Sequence, residues 1–424
     1  MHEHELRRRV VTEMHLRKWP RIDAPCSIVQ WVREVPDSDR RQEYHRIQER
    51  LTDGPADDPV ASASFVAGEL DRRVRIVWER HSEGSSLTLF FPGRGDAWSA
   101  ASVAREAGEL LLWGEAFPGA VVRATKIVVE PSDSEIEPLV PKAGFARDEL
   151  ISCLIGGKVR IWSDFRIQSD GYGHVLIAGN GTDPGDLSRL VQRLQELGNY
   201  RNKALLGLPV AQQVAPTLHD LEARLGALGQ RVTDPEVTDD SLLARLSDLS
   251  MELVSLETMI NFRMSATSAY ATLVQERLAE LGNLPISGFA SLEDFTQRRF
   301  LPAVRTCQST VDRVRQLSTA TARFTSLLRA RIETRIENQN ARLLRSLERS
   351  SGRQLRLQEL VEGLSVVALS YYTIGLLSYL AKGADALQQA HEADVVIAAL
   401  VPGVVASAWL IVRKLKRRLL AEGR

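Results

Sequence analysis

Val361–Gly383 reads "VEGLSVVALSYYTIGLLSYLAKG", and whether this run lies in a protein core or in lipid decides the architecture of the chain. Gly363 to Ala381 is nineteen consecutive uncharged residues, and Val395 to Val412 is a second such run of eighteen. A helix needs roughly 20 apolar residues to cross the hydrocarbon core, with about 17 as the lower limit. Both runs meet that length. A buried hairpin of core helices is the soluble alternative, and three features favour lipid over it. The runs are adjacent, and Tyr379 and Trp409 lie near span ends, where amphipathic rings favour the interface. The third is "RKLKRR", which follows the second run.

The cations of that tail, Arg413, Lys414, Lys416, Arg417 and Arg418, set the orientation, because short Lys/Arg-rich flanks stay cytoplasmic. The connecting "KGADALQQAHEAD" sets Lys382 against Asp385, Glu392 and Asp394 and is the less basic side. The expectation is a transmembrane hairpin, spans about 363–381 and 395–412, with both termini cytoplasmic and the lipid bilayer as a partner. "MHEHELRRRVVTEMHLRKWP" holds no apolar run of signal-peptide length, so export by a cleaved signal is not expected.

The remainder is of ordinary globular composition, 44% hydrophobic and 25% charged, which excludes general disorder. Fifty-four basic residues balance fifty-four acidic ones, so no overall field points to nucleic acid as a partner. Three cysteines, Cys26, Cys153 and Cys307, are too few and too scattered for a disulfide framework and suit a reducing compartment.

Residues 1–185 read as a mixed α/β domain. "CSIVQWVREV", "ASFVAGEL", "RVRIVWERH", "SSLTLFF" and "AVVRATKIVV" are strand-like, while "DSDRRQEYHRIQERL" and "AASVAREAGELLLW" are helical. "KVRIWSDFRIQ" and "HVLIAG" form a hairpin around Ser169–Tyr172. Asp183 is placed to cap a helix that has Pro184 in its first turn.

Residues 186–360 turn wholly helical, as a bundle and stalk. "VAPTLHDLEARLGALGQRV" is one helix, and the stretch from Asp239 to Leu281 is a second. Between Pro302 and Pro402 there is no proline, so a third helix is free to run from Ala303 to Ala381. Unbroken, it is about 120 Å long. Ile332, Ile336, Leu343 and Leu347 lie on one narrow stripe, the pattern of a coiled-coil or bundle seam. Ser350-Ser351-Gly352 is the candidate break.

Motifs that carry chemistry are scarce. H-E-x-x-H, C-x-x-C, P-loop and G-x-S-x-G patterns are absent, and no catalytic, metal-binding or cofactor-binding residue is assigned. An enzyme is not expected. "GNGTDPGD" before a helix reads as a simple turn. Glu79 and His81 share one strand face, either a binding surface or a solvated sheet face. Asp164, Arg166 and Asp170 form a similar charged group.

The first span is different. Ser365, Ala368, Tyr372, Gly375, Tyr379 and Lys382 fall on one helical face that is small and polar, with Val367, Leu369, Ile374, Leu376 and Leu377 covering much of the rest. Such a face serves helix–helix packing, or lines a water-filled pathway formed by several copies.

"VWERHSEGSS", "DFRIQSDGYG", "LVQRLQELGNYRNKALLGLP", "RRFLPAVRTCQS", "ENQNARLLRSLERS" and "RQLRLQELVEGLSVVALSYYTIGL" resemble the landmarks of a bacterial family of uncharacterised, membrane-anchored proteins. The resemblance runs nearly end to end. It departs at "TEMHLRKWP", where the family more usually reads N-E-[VL]-H-A-R-P and this chain has Thr12, Leu16 and an inserted Lys18-Trp19. It implies membrane attachment, in the bacterial inner membrane, and no chemistry. The layout also resembles CorA-type magnesium channels, homopentamers whose first spans line the pore. Their Gly-Met-Asn signature is missing; Ala381-Lys382-Gly383 stands in its place.

The fold class expected is therefore an α+β cytoplasmic domain, then long helices, then a two-helix transmembrane hairpin over 361–424, CorA-like in layout. The functional expectation is an oligomeric ion channel or transporter. The alternative is a membrane-tethered interaction or signalling scaffold.

Overall fold

The computed structural model describes residues 3–7, 10–11, 17–51, 64–70, 74–93, 105–234, 236–385 and 401–414. The chain divides into two compact units, Met1–Thr325 and Ser326–Arg424.

The first unit is built on strand β1, Cys26–Glu34, whose "CSIVQWVRE" is buried from Cys26 to Arg33. A strand buried on both faces needs cover on both sides and neighbours on both edges. The neighbours are β4 (Gly84–Pro92) and β5 (Ala120–Glu130), both antiparallel to it. The sheet adds β2 (Phe65–Glu69), β3 (Arg75–His81), β6 (Ile151–Ile155), β7 (Val159–Ser163), β8 (Gly173–Ala178) and β9 (Leu284–Pro285). Its order is β2-β3-β4-β1-β5-β8-β7-β6-β9. β5 and β8 are parallel, with Ile127 opposite Val175; the other named pairs are antiparallel.

Helices cover the two faces. One carries Trp31, Trp78, Leu87 and Leu89 against Tyr44 and Ile47 of α1 (Arg40–Gln48) and Leu110 of α2 (Arg105–Glu115). The other carries Ile28, Phe90, Ile127, Val129 and Val175 against α3 (Pro184–Leu205) and α5 (Asp239–Glu280). α3 starts where its cap predicts, with Asp183 Oδ1 accepting from the Gly185 amide at 2.7 Å and Pro184 in the first turn.

α4 (Gly207–Arg231) buries Ala211, Val214, Leu218 and Leu221, a 3–4 spacing that gives one apolar stripe. The last helix, α6, runs from Leu301 to Asp385 as 85 residues with no break at Gly352. Its first part buries Val304, Cys307, Val314 and Leu317, and Arg313 binds Glu222 of α4 through two contacts at 2.9 and 2.8 Å. A final described helical segment covers 401–414. Residues 395–400 of the expected second span, and Lys416, Arg417 and Arg418 of the basic tail, lie outside the described residues.

Candidate functional site: a charged interface between sheet and helices

The sheet face under α3 is apolar at one end and polar at the other. Strand alternation puts Ile28 and Gln30, Phe90 and Thr88, and Ile127, Thr125 and Arg123 on that side, with Gln30 opposite both Thr88 and Thr125. α3 lays Gln195 and Asn199, one turn apart, over the polar end. Arg123 Nη1 donates to Gln195 Oε1 at 2.6 Å, Asn199 Oδ1 at 2.7 Å and Gln30 Oε1 at 3.4 Å. Asn199 Nδ2 donates to Gln30 Oε1 at 3.1 Å, and Gln30 Nε2 to Thr88 Oγ1 at 2.9 Å. Gly198 makes the fit: a Cβ there would sit 2.7 Å from Cζ of Arg123. Among the described residues no carboxylate joins this network. Burial, and then repulsion from Arg201, lowers Arg123 to about 9; burial alone lowers Arg201 to about 10.

Further along the same face the charges are paired. Arg17 binds Glu79 at 2.9 Å and the Ser64 hydroxyl at 3.0 Å. Arg263 of α5 binds Glu34 at 2.6 Å and Glu83 at 3.5 Å, and Arg277 binds Glu196 at 2.6 Å. Lys203 is 2% exposed, its ammonium 5.4 Å from the Tyr270 ring centre. Burial lowers its pKa against the opposing pull of Glu83, Glu34 and Glu79. His81 is held neutral, its pKa lowered to about 3 by burial and then by Lys203 and Arg17.

Glu79 and His81 do share a face, but α3 and α5 cover it, so it is not a solvated sheet surface. Asp164 is 3% exposed and accepts from the Ala146 and Arg166 amides, both at 3.0 Å. Arg166 pairs with Glu149 at 2.7 Å, and Asp170 takes Lys126 at 2.8 Å and His174 at 3.1 Å. These two charged groups are tied into the fold. Burial pushes the Cys26 thiol up to about 12 and Cys153 to about 11, so neither is a thiolate nucleophile. Among the described residues no three His, Cys, Asp or Glu side chains gather as metal ligands.

In the second unit, Ser365 donates back to the Val361 carbonyl at 2.8 Å, and Tyr372 and Tyr379 are exposed. Ala368 is exposed and Gly375 half-buried on the same face; Lys382 lies within α6, its side chain outside the described residues. The covered positions form another stripe, Val366, Ser370, Ile374 and Ser378, on which Ser370 is 4% exposed. In 401–414 the covered stripe is Val401, Val404, Ala408 and Val412. Arg413 lies 4.7 Å from the Trp409 ring centre, and Lys414 ends the segment. Among the described residues one helix is long and apolar enough to cross a membrane, and 6% of its most apolar window is buried.

Compared with known families, residues 2–419 match the one described as a protein of unknown function, DUF3422. The chain belongs to the DUF3422 family. This agrees with the expected uncharacterised group, and DUF3422 as a description carries no activity. No curated protein and no solved structure matches, so the likeness to CorA-type channels gains no support. What this DUF3422 chain offers on its own is the charged interface of the first unit and the apolar surface of the second. Sequence reasoning missed Gln30, Arg123, Gln195, Asn199 and Arg201. Arg123 was visible as a cation inside the strand run "AVVRATKIVV", an anomaly for a sheet interior.

Proposed function

We propose that this DUF3422 protein is anchored in the bacterial inner membrane by a C-terminal helical hairpin and presents its first unit in the cytoplasm as an interaction module. The observation that carries this reading is the apolar, almost wholly unburied end of α6, where Leu364, Val367, Tyr371, Tyr372 and Leu376 are each at least 64% exposed. Exposed apolar surface on that scale is not stable in water and is ordinary in lipid. The stripes at Val366–Ser378 and Val401–Val412 suit the two arms of a hairpin. Arg413 and Lys414, at the end of the second arm, favour a cytoplasmic C-terminus.

The test is alkaline carbonate extraction of membranes carrying the full chain. Wild type stays in the pellet. A Val367→Arg, Leu369→Arg, Leu376→Arg variant moves to the supernatant, because each cation costs about 2.5–3.5 kcal/mol at a span centre. Release of the wild type overturns the reading.

A second reading is an oligomeric ion channel, favoured by the exposed face of Ser365, Ala368, Tyr372 and Tyr379, which is open to other copies of the chain. Ion flux into vesicles holding the purified protein, reduced by Tyr372→Ala or Tyr379→Ala, supports it; flux indifferent to both removes it.

A further inference from the structure

Arg201, in α3, is 6% exposed and forms no ion pair among the described residues. Its guanidinium carbon lies 4.2 Å from the Phe165 ring centre and 5.2 Å from that of Phe295, and its Nη1 is buried with no hydrogen-bond partner among the described residues. Aromatic rings attract a cation, but they do not replace the oxygen acceptors that a guanidinium's in-plane N–H groups require. An unpaired buried charge is costly, and proteins relieve that cost with a counter-charge.

Arg201 borders a cavity of about 300 Å³ together with Arg123, Thr125, Ser163, Arg166 and Gly173. No carboxylate lines it. Among the described residues the buried Thr125 hydroxyl has no hydrogen-bond partner, and neither has Nε2 of Gln195, which holds Arg123 in place from α3. Arg123 spends only Nη1 on its three side-chain oxygens, and Arg166, at the exposed edge, is already neutralised by Glu149. Gly173 supplies the room: a Cβ there would meet only the Ala124 and Arg166 carbonyls, both at 3.6 Å, and would stand in space that is now open.

We propose that this cavity is a binding site for a small phosphorylated molecule, with Arg201 gripping the phosphoryl oxygens, Arg123 adding a second positive charge and the Thr125 hydroxyl donating to one of the oxygens. One arginine with Nη1 buried and unbonded, and a second arginine beside it, in place of lysines, favour a compact multi-oxygen anion over a single point acceptor. The volume leaves space for a modest substituent beyond the phosphoryl group, toward the exposed Ile167 at the edge. This site lies within the first unit and is independent of how the chain meets the membrane.

The test is thermal unfolding and titration calorimetry of the full chain in detergent, with inorganic phosphate as the probe and sodium chloride and acetate at equal ionic strength as controls. Phosphate is expected to raise the melting temperature and bind at one site, and chloride to do neither. Arg201→Met removes the buried cation and weakens phosphate at least about tenfold. Its own melting temperature without phosphate holds or rises, because an unpaired charge has gone. Gly173→Val keeps both arginines and fills the cavity, and it must abolish the phosphate response as well. A phosphate response no larger than that of chloride, stronger binding of acetate than of phosphate, or unchanged binding in Arg201→Met or Gly173→Val overturns the proposal.

Discussion

At the scale of single residues, the charged interface makes stability depend on pH through His81. Its folded value is about 3 against an ordinary 6.5. Above about pH 6.5 folded and unfolded chains both hold a neutral imidazole, and the residue contributes no slope. As pH falls through 6.5 the unfolded chain takes up a proton that the folded chain refuses. Stability is then lost toward pH 3, at up to about 1.4 kcal/mol per pH unit. Urea unfolding followed through the buried Trp31, Trp78 and Trp162 is expected to show a His81→Gln variant with a shallower fall between pH 6.5 and 4. Equal slopes would mean that His81 protonates in the fold. Gly119 makes a second residue-scale prediction: it sits at φ +97° with a would-be Cβ 2.4 Å from the Glu34 carbonyl oxygen. Gly119→Ala should cost at least about 1–3 kcal/mol by the same assay, since neither the backbone angle nor the space admits a methyl. Strand alternation was enough to put Glu79 and His81 on one face. It was not enough to show that face covered, because the cover, α3, comes more than a hundred residues later in the chain. Arg201 was illegible for the same reason. Its burial comes from strands and loops distant in sequence, and helical periodicity alone does not rank it above Lys203, the other cation of "NYRNKALL".

Elements were more legible than sites, and the exceptions share a cause. The central strands, α3 with its cap, and the proline-free run that becomes α6 follow from local pattern and punctuation. β6 and β9 do not. "ISCLI" is short and buried, and Leu284–Pro285 is a strand only because Leu284 pairs with Leu154 and Pro285 with Cys153. That pairing returns the chain to the sheet edge after α5, where Ser291 opens the next helical run. Its Oγ accepts from the Asp294 amide at 3.1 Å while Asp294 Oδ2 accepts from the Ser291 amide at 2.9 Å, a reciprocal cap. Ser291→Ala is expected to lower the unfolding free energy by about 1 kcal/mol, and Ser291→Thr to preserve most of it. An unchanged midpoint in the alanine variant would show that the buried Leu292 and Phe300 hold this turn unaided. A five-residue π segment, Thr296–Phe300, follows before α6 begins. Such a segment is the usual response to one residue too many in a helix that must continue.

For the whole molecule, the open matter is how many chains assemble, and the second unit supplies the argument. Beyond Leu328 the side chains of α6 are mostly exposed, including Ile336 at 50%, Leu343 at 62%, Leu347 at 63% and Leu357 at 63%. Ile336, Leu343 and Leu357 share a heptad position, with Leu347 four residues after Leu343, and the faces between carry Arg and Glu. A helix whose apolar residues form a stripe this narrow draws little stability from propensity and much from burying the stripe against a partner. The partner of simplest chemistry is the same stripe on a second copy, because a self-complementary seam needs no other protein. Light scattering of the detergent-extracted full chain, corrected for detergent, should therefore give a mass of several chains. Each leucine buried in such a seam contributes about 1.5–3 kcal/mol. A Leu343→Glu, Leu347→Glu variant loses that burial, gains mutual repulsion in every copy, and should run as a single chain. It should still resist carbonate extraction, because the apolar residues beyond Gly363 are untouched. Wild type at one chain would remove both the seam and the channel reading, since the two proposed spans of a single chain cannot enclose a hydrated path. A variant that keeps the wild-type mass would shift the assembly contact from the stalk to the apolar segment beyond Gly363, to the exposed face of Ser365, Tyr372 and Tyr379.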